Sequence, residues 1–249
     1  MSEKTVTVVE TTPISKCKYC LVGFPDAGLV GSIALSYVVL EQQMLEIGYL
    51  ESDAFPPVIV VHKGVPQSPF RLYSKDDFVA VLSEIPIEAQ LIPSVARSVV
   101  EWAHSKNAEI VIALTGTAVQ NRVEIDVPKV YGVSSSAAFR DRLDAASIEV
   151  FEEGFIAGLH AVMMKECLQK GLPNIILLAQ AHLQYPDPGA AASVIAAVSR
   201  LVGLQVDATK LLAQADKIRV QTRELMQQTQ QQMQQTQKGR EQEIPPMYV

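Results

Sequence analysis

The sequence predicts an α/β fold, a mostly parallel sheet with helices on both faces. Two observations predict it. Short apolar runs bounded by Gly, Pro and Asp alternate along the chain with segments of helical length, and that βαβα order favours parallel strands joined by helical crossovers. Hydrophobic residues make up 48% of the chain and charged residues 19%, which describes a protein with a sizeable core. The 249 residues suffice for one large domain or two small ones. The expected division is an α/β core over 1–205, a helical, Gln-rich extension over 206–238 and a flexible tail over 239–249.

Taken in order, residues 5–9 and 20–23 are β-like, and 29–42 has helical length with small residues for close packing. Residues 58–62 and 78–82 are short buried-strand runs between Pro, Gly and Asp. Several β-like pieces between 44 and 82 lack an intervening helix, so an antiparallel extension is expected there. Helical periodicity runs over 92–104, and 110–114 is a buried strand ending in Thr115-Gly116-Thr117. Another strand is expected over 130–133, with a helix from about Ser136. An amphipathic helix over 155–170 stops at Gly171 and Pro173. A strand over 174–180 precedes an Ala-rich helix over 190–202, stopped by Gly203.

Composition changes after about Val206. Eight of the eleven residues in 227–237 are Gln, and Met-Gln-Gln-Thr-Gln occurs at 226 and again at 233. At heptad spacing Leu211, Ala215, Ile218, Thr222, Leu225, Thr229 and Thr236 share one seam. Gln favours helix, whereas a solvated Gln-rich linker is the competing reading beyond residue 226. The apolar part of the seam, 211–225, is a candidate contact between copies of the chain.

Charge and composition exclude several classes. The net charge of −6 lacks the basic footprint that nucleic acid or an anionic membrane surface requires. The longest apolar runs are far too short to span a bilayer. The first five residues, Met-Ser-Glu-Lys-Thr, hold no signal-peptide apolar region, and a cytoplasmic location is expected. His62, His104, His160 and His182 are scattered without metal-ligand spacing, so neither a metal nor a cofactor is expected. Ser134-Ser135-Ser136 has no nucleophile-elbow glycines. Asp187, between Pro186 and Pro188, suits a helix cap better than a catalytic role.

Cys17-Lys18-Tyr19-Cys20 is a single CxxC with no second half to complete a zinc site. In an extended chain its two thiols would face opposite ways, roughly 10 Å apart at the strand rise per residue. That separation forbids a disulfide, so ordinary strand cysteines are expected.

Gly23-Phe24-Pro25-Asp26-Ala27-Gly28-Leu29-Val30-Gly31 follows a strand and opens a helix, where phosphate-binding turns lie. Gly23 and Gly28 have P-loop spacing, but Leu29-Val30 replaces the Lys-Ser/Thr that engages phosphate and magnesium. Gly28 and Gly31 match the second half of a dinucleotide fingerprint, yet Asp26 would set an anion beside the pyrophosphate. A tight turn with close helix–sheet packing explains the pattern better. A small-ligand pocket formed by Gly23, Asp26, Gly28, Gly31, Thr115 and Gly116 is the alternative.

The most distinctive chemistry is in Pro245-Pro246-Met247-Tyr248-Val249. A stiff Pro-Pro stem carries an apolar residue, a tyrosine and then Val249, expected to end in a free carboxylate. Met247 and the Tyr248 ring supply apolar area, and the hydroxyl and carboxylate supply polar handles for capture in a pocket.

This ending matches the hydrophobic-Tyr-any tail by which proteasomal ATPases and other activators dock between α-subunits of the 20S particle. The body resembles the archaeal homologues of the proteasome assembly chaperones. The residues that carry the resemblance are Gly23-Phe24-Pro25-x-x-Gly28-x-Val30-Gly31, Gly154-Phe155-x-x-Gly158-Leu159, and Tyr185-Pro186-Asp187-Pro188 before an Ala-rich helix. They span most of 15–205. The resemblance implies a fold related to nucleoside phosphorylases, homo-oligomers, and docking on the 20S α-ring through Met247, Tyr248 and Val249. It implies no catalytic residues, so an assembly chaperone or docking factor is expected rather than an enzyme. Asp26 departs from the family pattern, where glycine is usual. A small-molecule enzyme or sensor is the competing class.

Overall fold

The computed structural model describes residues 5–213. Its centre is four parallel strands, β2 (Tyr19–Gly23), β7 (Phe78–Ser83), β8 (Ile110–Ala118) and β11 (Asn174–Ala181). They stand in the order β7-β2-β8-β11. Each is an almost unbroken apolar run because both faces are covered. The antiparallel extension expected between 44 and 82 is present as β3 (Leu45–Glu51) and β6 (Phe70–Lys75), which continue the sheet beyond β7. β1 (Thr7–Glu10) pairs with β3 and forms that edge. On the other side β9 (Val130–Ser134) runs antiparallel to β11, and the short β10 (Glu149–Val150) pairs with β9. The strand expected over 58–62 begins at Val60, where β4 (Val60–His62) and β5 (Val65–Gln67) form a separate hairpin.

Alternation along the strands divides the core in two. Leu21 of β2 and Ile110, Ile112 and Leu114 of β8 face one layer, with α1 (Val30–Glu41), α3 (Ala137–Ala145) and α5 (Pro188–Val202). Cys20 and Val22 of β2 and Val111 of β8 face the other, with α2 (Ile92–Ser105) and α4 (Gly158–Lys170). Helix α2 shows why its sequence is helical. Val95, Ala96, Val99, Val100 and Ala103 recur on one face and are all buried.

Helix ends follow their local chemistry. α4 stops at Gly171 and α5 at Gly203, both left-handed at φ 65° and 73°, a conformation in which glycine carries no Cβ penalty. α5 starts at Pro188, whose missing N–H lies where no intrahelical bond is needed. The helix expected from Phe155 starts three residues later. Gly154 and Gly158 have φ of 151° and 68°, and Ala157 is extended, which keeps 155–157 out of the helix.

The end of the described chain is packed on the body. In α6 (Thr209–Ala213), Leu211 is buried in the α1/α5 core layer rather than on an outward seam. The later seam positions lie outside the described residues. The segment before α6 is tied to the C-terminal end of α1, where Tyr37 donates its hydroxyl to the Asp207 carbonyl at 2.7 Å. Gln42 likewise donates to the Gln205 carbonyl at 2.6 Å. Among the described residues no helix is long and apolar enough to cross a membrane.

Cys17 and Cys20 do not face opposite ways. The strand begins only at Tyr19, and both side chains join the α2/α4 core layer with Cys167. All three thiols are free and buried. Burial pushes Cys17 up to about 11 and Cys167 to about 12, and Cys20 well above the ordinary thiol range. Thiols held so far from the thiolate are unreactive.

Candidate functional site

The turn leaving β2 is built by glycines that touch backbone. A Cβ on Gly31 would overlap the Leu114 carbonyl of β8, and one on Gly23 would overlap the Gly31 carbonyl of α1. A Cβ on Gly116 would overlap the Ala27 carbonyl. Helix α1 therefore lies directly on β2 and β8, with no room for a phosphate among these glycines. Gly28 is left-handed at φ 65°, and its carbonyl accepts the Asp187 N–H at 2.8 Å. Gly23, Gly28, Gly31 and Gly116 thus serve packing and turn geometry.

Asp187 fixes the far side of this turn. Its carboxylate accepts from the Ala190 N–H at 3.0 Å, which caps α5 as expected. It also accepts from Arg122 Nε and Nη2 at 2.7 and 2.9 Å, and from the His182 N–H at 3.2 Å. Arg122 in addition donates to the Ile125 carbonyl at 2.5 Å. One buried carboxylate so joins the start of α5, the end of β11 and the loop after β8.

Asp26 and Thr115 do line a cavity. It holds about 270 Å³ and lies beyond the C-terminal ends of the parallel strands, on the α2/α4 side. Its apolar walls include Phe24, Ile87, Ile92 and Leu178, and the 155–160 segment entering α4 closes the last side. From β2, α1 leads toward strands on one side, whereas α2 carries the chain from β7 to β8 on the other. The cavity thus sits at the reversal of winding between β2 and β8, where α/β sheets commonly take ligands.

Inside it His160, from the first turn of α4, places Nε2 3.1 Å from Asp26 Oδ2. When Asp26 is ionised its carboxylate only accepts, and Nε2 is then the donor. Asp26 Oδ1 and His160 Nδ1 are both buried without a hydrogen-bond partner among the described residues. Although 26% of the Asp26 side chain meets solvent, burial raises its pKa. The His160 hydrogen bond and charge, and the nearby Gly116 amide, draw it back only in part. The Thr115 hydroxyl makes only a long contact, 3.4 Å, to the Gly116 carbonyl.

His160 was one of four histidines without a pattern, and it is the residue that completes this cluster. No local signal in the sequence marks it. The other candidate residues, Met247, Tyr248 and Val249, lie outside the described residues. Among those described, no group of three or more His, Cys, Asp or Glu is arranged to hold a metal ion.

Residues 20–226 match the PAC2 family. The chain belongs to the PAC2 family. Among solved structures of this kind, Pyrococcus furiosus PbaA, an archaeal homolog of proteasome-assembly chaperone, gives a TM-score of 0.82 at 29% identity. That match covers 92% of this chain and 99% of PbaA. Pyrococcus furiosus PbaB, an archaeal proteasome activator, gives a TM-score of 0.73 at 22% identity, covering 89% of this chain and 99% of PbaB. An uncharacterized protein of Methanocaldococcus jannaschii is 29% identical over 192 residues, 77% of this chain and 78% of that one. The PAC2 fold accounts for the central parallel strands and the helices on both faces. The likeness to archaeal proteasome assembly chaperone homologues expected from the glycine and proline motifs is thus present in both sequence and fold.

Proposed function

We propose that this PAC2 protein is a proteasome-binding assembly chaperone or docking factor, without chemistry of its own. In this reading it engages the 20S α-ring through Met247, Tyr248 and Val249. The observation that carries the proposal is the likeness to PbaA across 92% of this chain at 29% identity. The sequence Pro-Pro-Met-Tyr-Val at 245–249 supports the route of docking, with an apolar anchor, an amphipathic ring and a stiff stem.

Homo-oligomerisation belongs to the same proposal. A single tail offers one tyrosine and one apolar residue, opposed by the ordering of the segment and the loss of translational freedom. Several identical tails on one particle would raise avidity by roughly 10²–10⁴ if their geometry allows simultaneous engagement. Cytoplasmic residence accompanies proteasome partnership. Co-purification from a mixture containing intact 20S particles tests the proposal, and light scattering reports the number of copies. Failure to retain 20S particles, or a monomer by light scattering, would contradict the corresponding half.

A further inference from the structure

We propose that the cavity between the β2 turn and α4 binds a small organic cation, a primary amine on a compact apolar body, with its ammonium held by Asp26. The proposal goes beyond proteasome docking and does not depend on it. The chain leading to the tail is anchored at the C-terminal end of α1, through Tyr37 and Asp207, whereas the cavity lies near its N-terminal end. From Val30 to Gln42, whose side chain donates to the Gln205 carbonyl, the helix spans about 18 Å at the helical rise per residue.

One oxygen of the cavity's carboxylate lacks a donor. Asp26 Oδ1 is a buried acceptor without a partner among the described residues. His160 Nε2 lies against Asp26 Oδ2, so Oδ1 is the carboxylate oxygen left for a ligand's donor. An ammonium group brings three donors and no acceptor. A phosphate or carboxylate would bring acceptors and a second negative charge.

The charge balance agrees. Among the described residues no lysine or arginine lines the cavity, and Asp26 is its one carboxylate. The first turn of α4 contributes a partial positive charge, but Asp26 already answers it through His160. A buried carboxylate facing a cation forms a charge-assisted hydrogen bond stronger than a neutral one.

The body of the ligand follows from the walls. Phe24, Ile87, Ile92 and Leu178 are apolar, and about 270 Å³ is just below the usual range for drug-sized ligands. A single ring or a short branched chain is therefore the fitting size. Phe155 lines the mouth and is fully exposed, so a seated ligand would also cover this ring.

Isothermal titration of the full chain at neutral pH tests this with phenethylamine, tryptamine and isoamylamine. Phenethyl alcohol is the uncharged counterpart. At least one amine should saturate one site per chain, and the alcohol should bind at least about tenfold more weakly. Asp26→Asn should lose at least about tenfold in amine affinity. No saturable binding by any of the three amines would overturn the proposal. So would equal binding of alcohol and amine, or undiminished binding by a folded Asp26→Asn variant. Should that variant not fold, the amine–alcohol comparison on the unaltered protein decides alone. Retention of 20S particles is measured separately, so failure of either proposal leaves the other standing.

Discussion

Asp187 and Arg122 form a two-point ion pair, 2.7 and 2.9 Å long, in which the carboxylate has no exposed surface. The same carboxylate caps α5, so its removal strands a buried guanidinium and opens a helix start together. Breaking one side of a buried pair typically costs about 3–5 kcal/mol. Asp187→Ala should therefore lose that much stability in urea unfolding, and Asp187→Asn should lose less because it keeps an acceptor for the Ala190 N–H. A loss below about 1 kcal/mol for the alanine variant would mean that the pair does not hold the loop after β8 in place.

Asp26 gives a pH prediction of opposite kind. Burial raises its folded pKa, so the folded state holds this proton more tightly than the unfolded state. The stability that the group contributes is therefore greatest below the unfolded carboxylate value of about 3.9, and falls as pH rises through the raised folded value. Above that value the ionised group is a net cost. Asn removes the charge while keeping an acceptor for His160 Nε2. Asp26→Asn should raise the melting temperature at pH 7, by roughly 2–4 °C for each kcal/mol relieved. The gain should shrink as pH falls and disappear below the ordinary carboxylate range. A gain of the same size at every pH would point to a cause other than the charge.

Gly31 separates packing from propensity. In a helix, alanine is ordinarily better than glycine by roughly 0.5–1 kcal/mol. Here the added Cβ would overlap the Leu114 carbonyl, which belongs to backbone and cannot turn aside. Gly31→Ala should destabilise by about 1–3 kcal/mol, the usual range for overpacking, measured by urea unfolding. A stabilising effect would show that α1 is not pressed onto β8.

Local patterns made much of this fold legible. Short apolar runs marked the central strands because both sheet faces are covered. Gly171 and Gly203 mark helix ends because glycine takes the left-handed turn without a Cβ penalty, and Pro188 marks a helix start because its fixed φ suits the first turn. The start of α4 was misplaced because Phe155 continues an apolar pattern, while the left-handed φ of Gly158 has no sequence period. The cavity was only half visible. Asp26 and Thr115 stand beside motif glycines, but His160 is 134 residues from Asp26, and only the winding of the sheet brings them together. Arg122 and Asp187 are 65 residues apart for the same reason. The CxxC thiols are free and buried, as expected of ordinary cysteines, but they share a face because the strand begins only at Tyr19 and extended geometry does not reach Cys17.

The central claim, docking on 20S particles through 247–249, is tested most directly by surface plasmon resonance with immobilised 20S particles. The full chain and its Tyr248→Ala variant are compared at equal concentration, with circular dichroism confirming equal folding. The variant removes the ring and hydroxyl and leaves Asp26, Asp187 and the described fold untouched. Loss of a buried aromatic anchor should weaken binding at least about tenfold, and by more if several tails engage together. Equal binding by the two proteins would contradict docking through this tail.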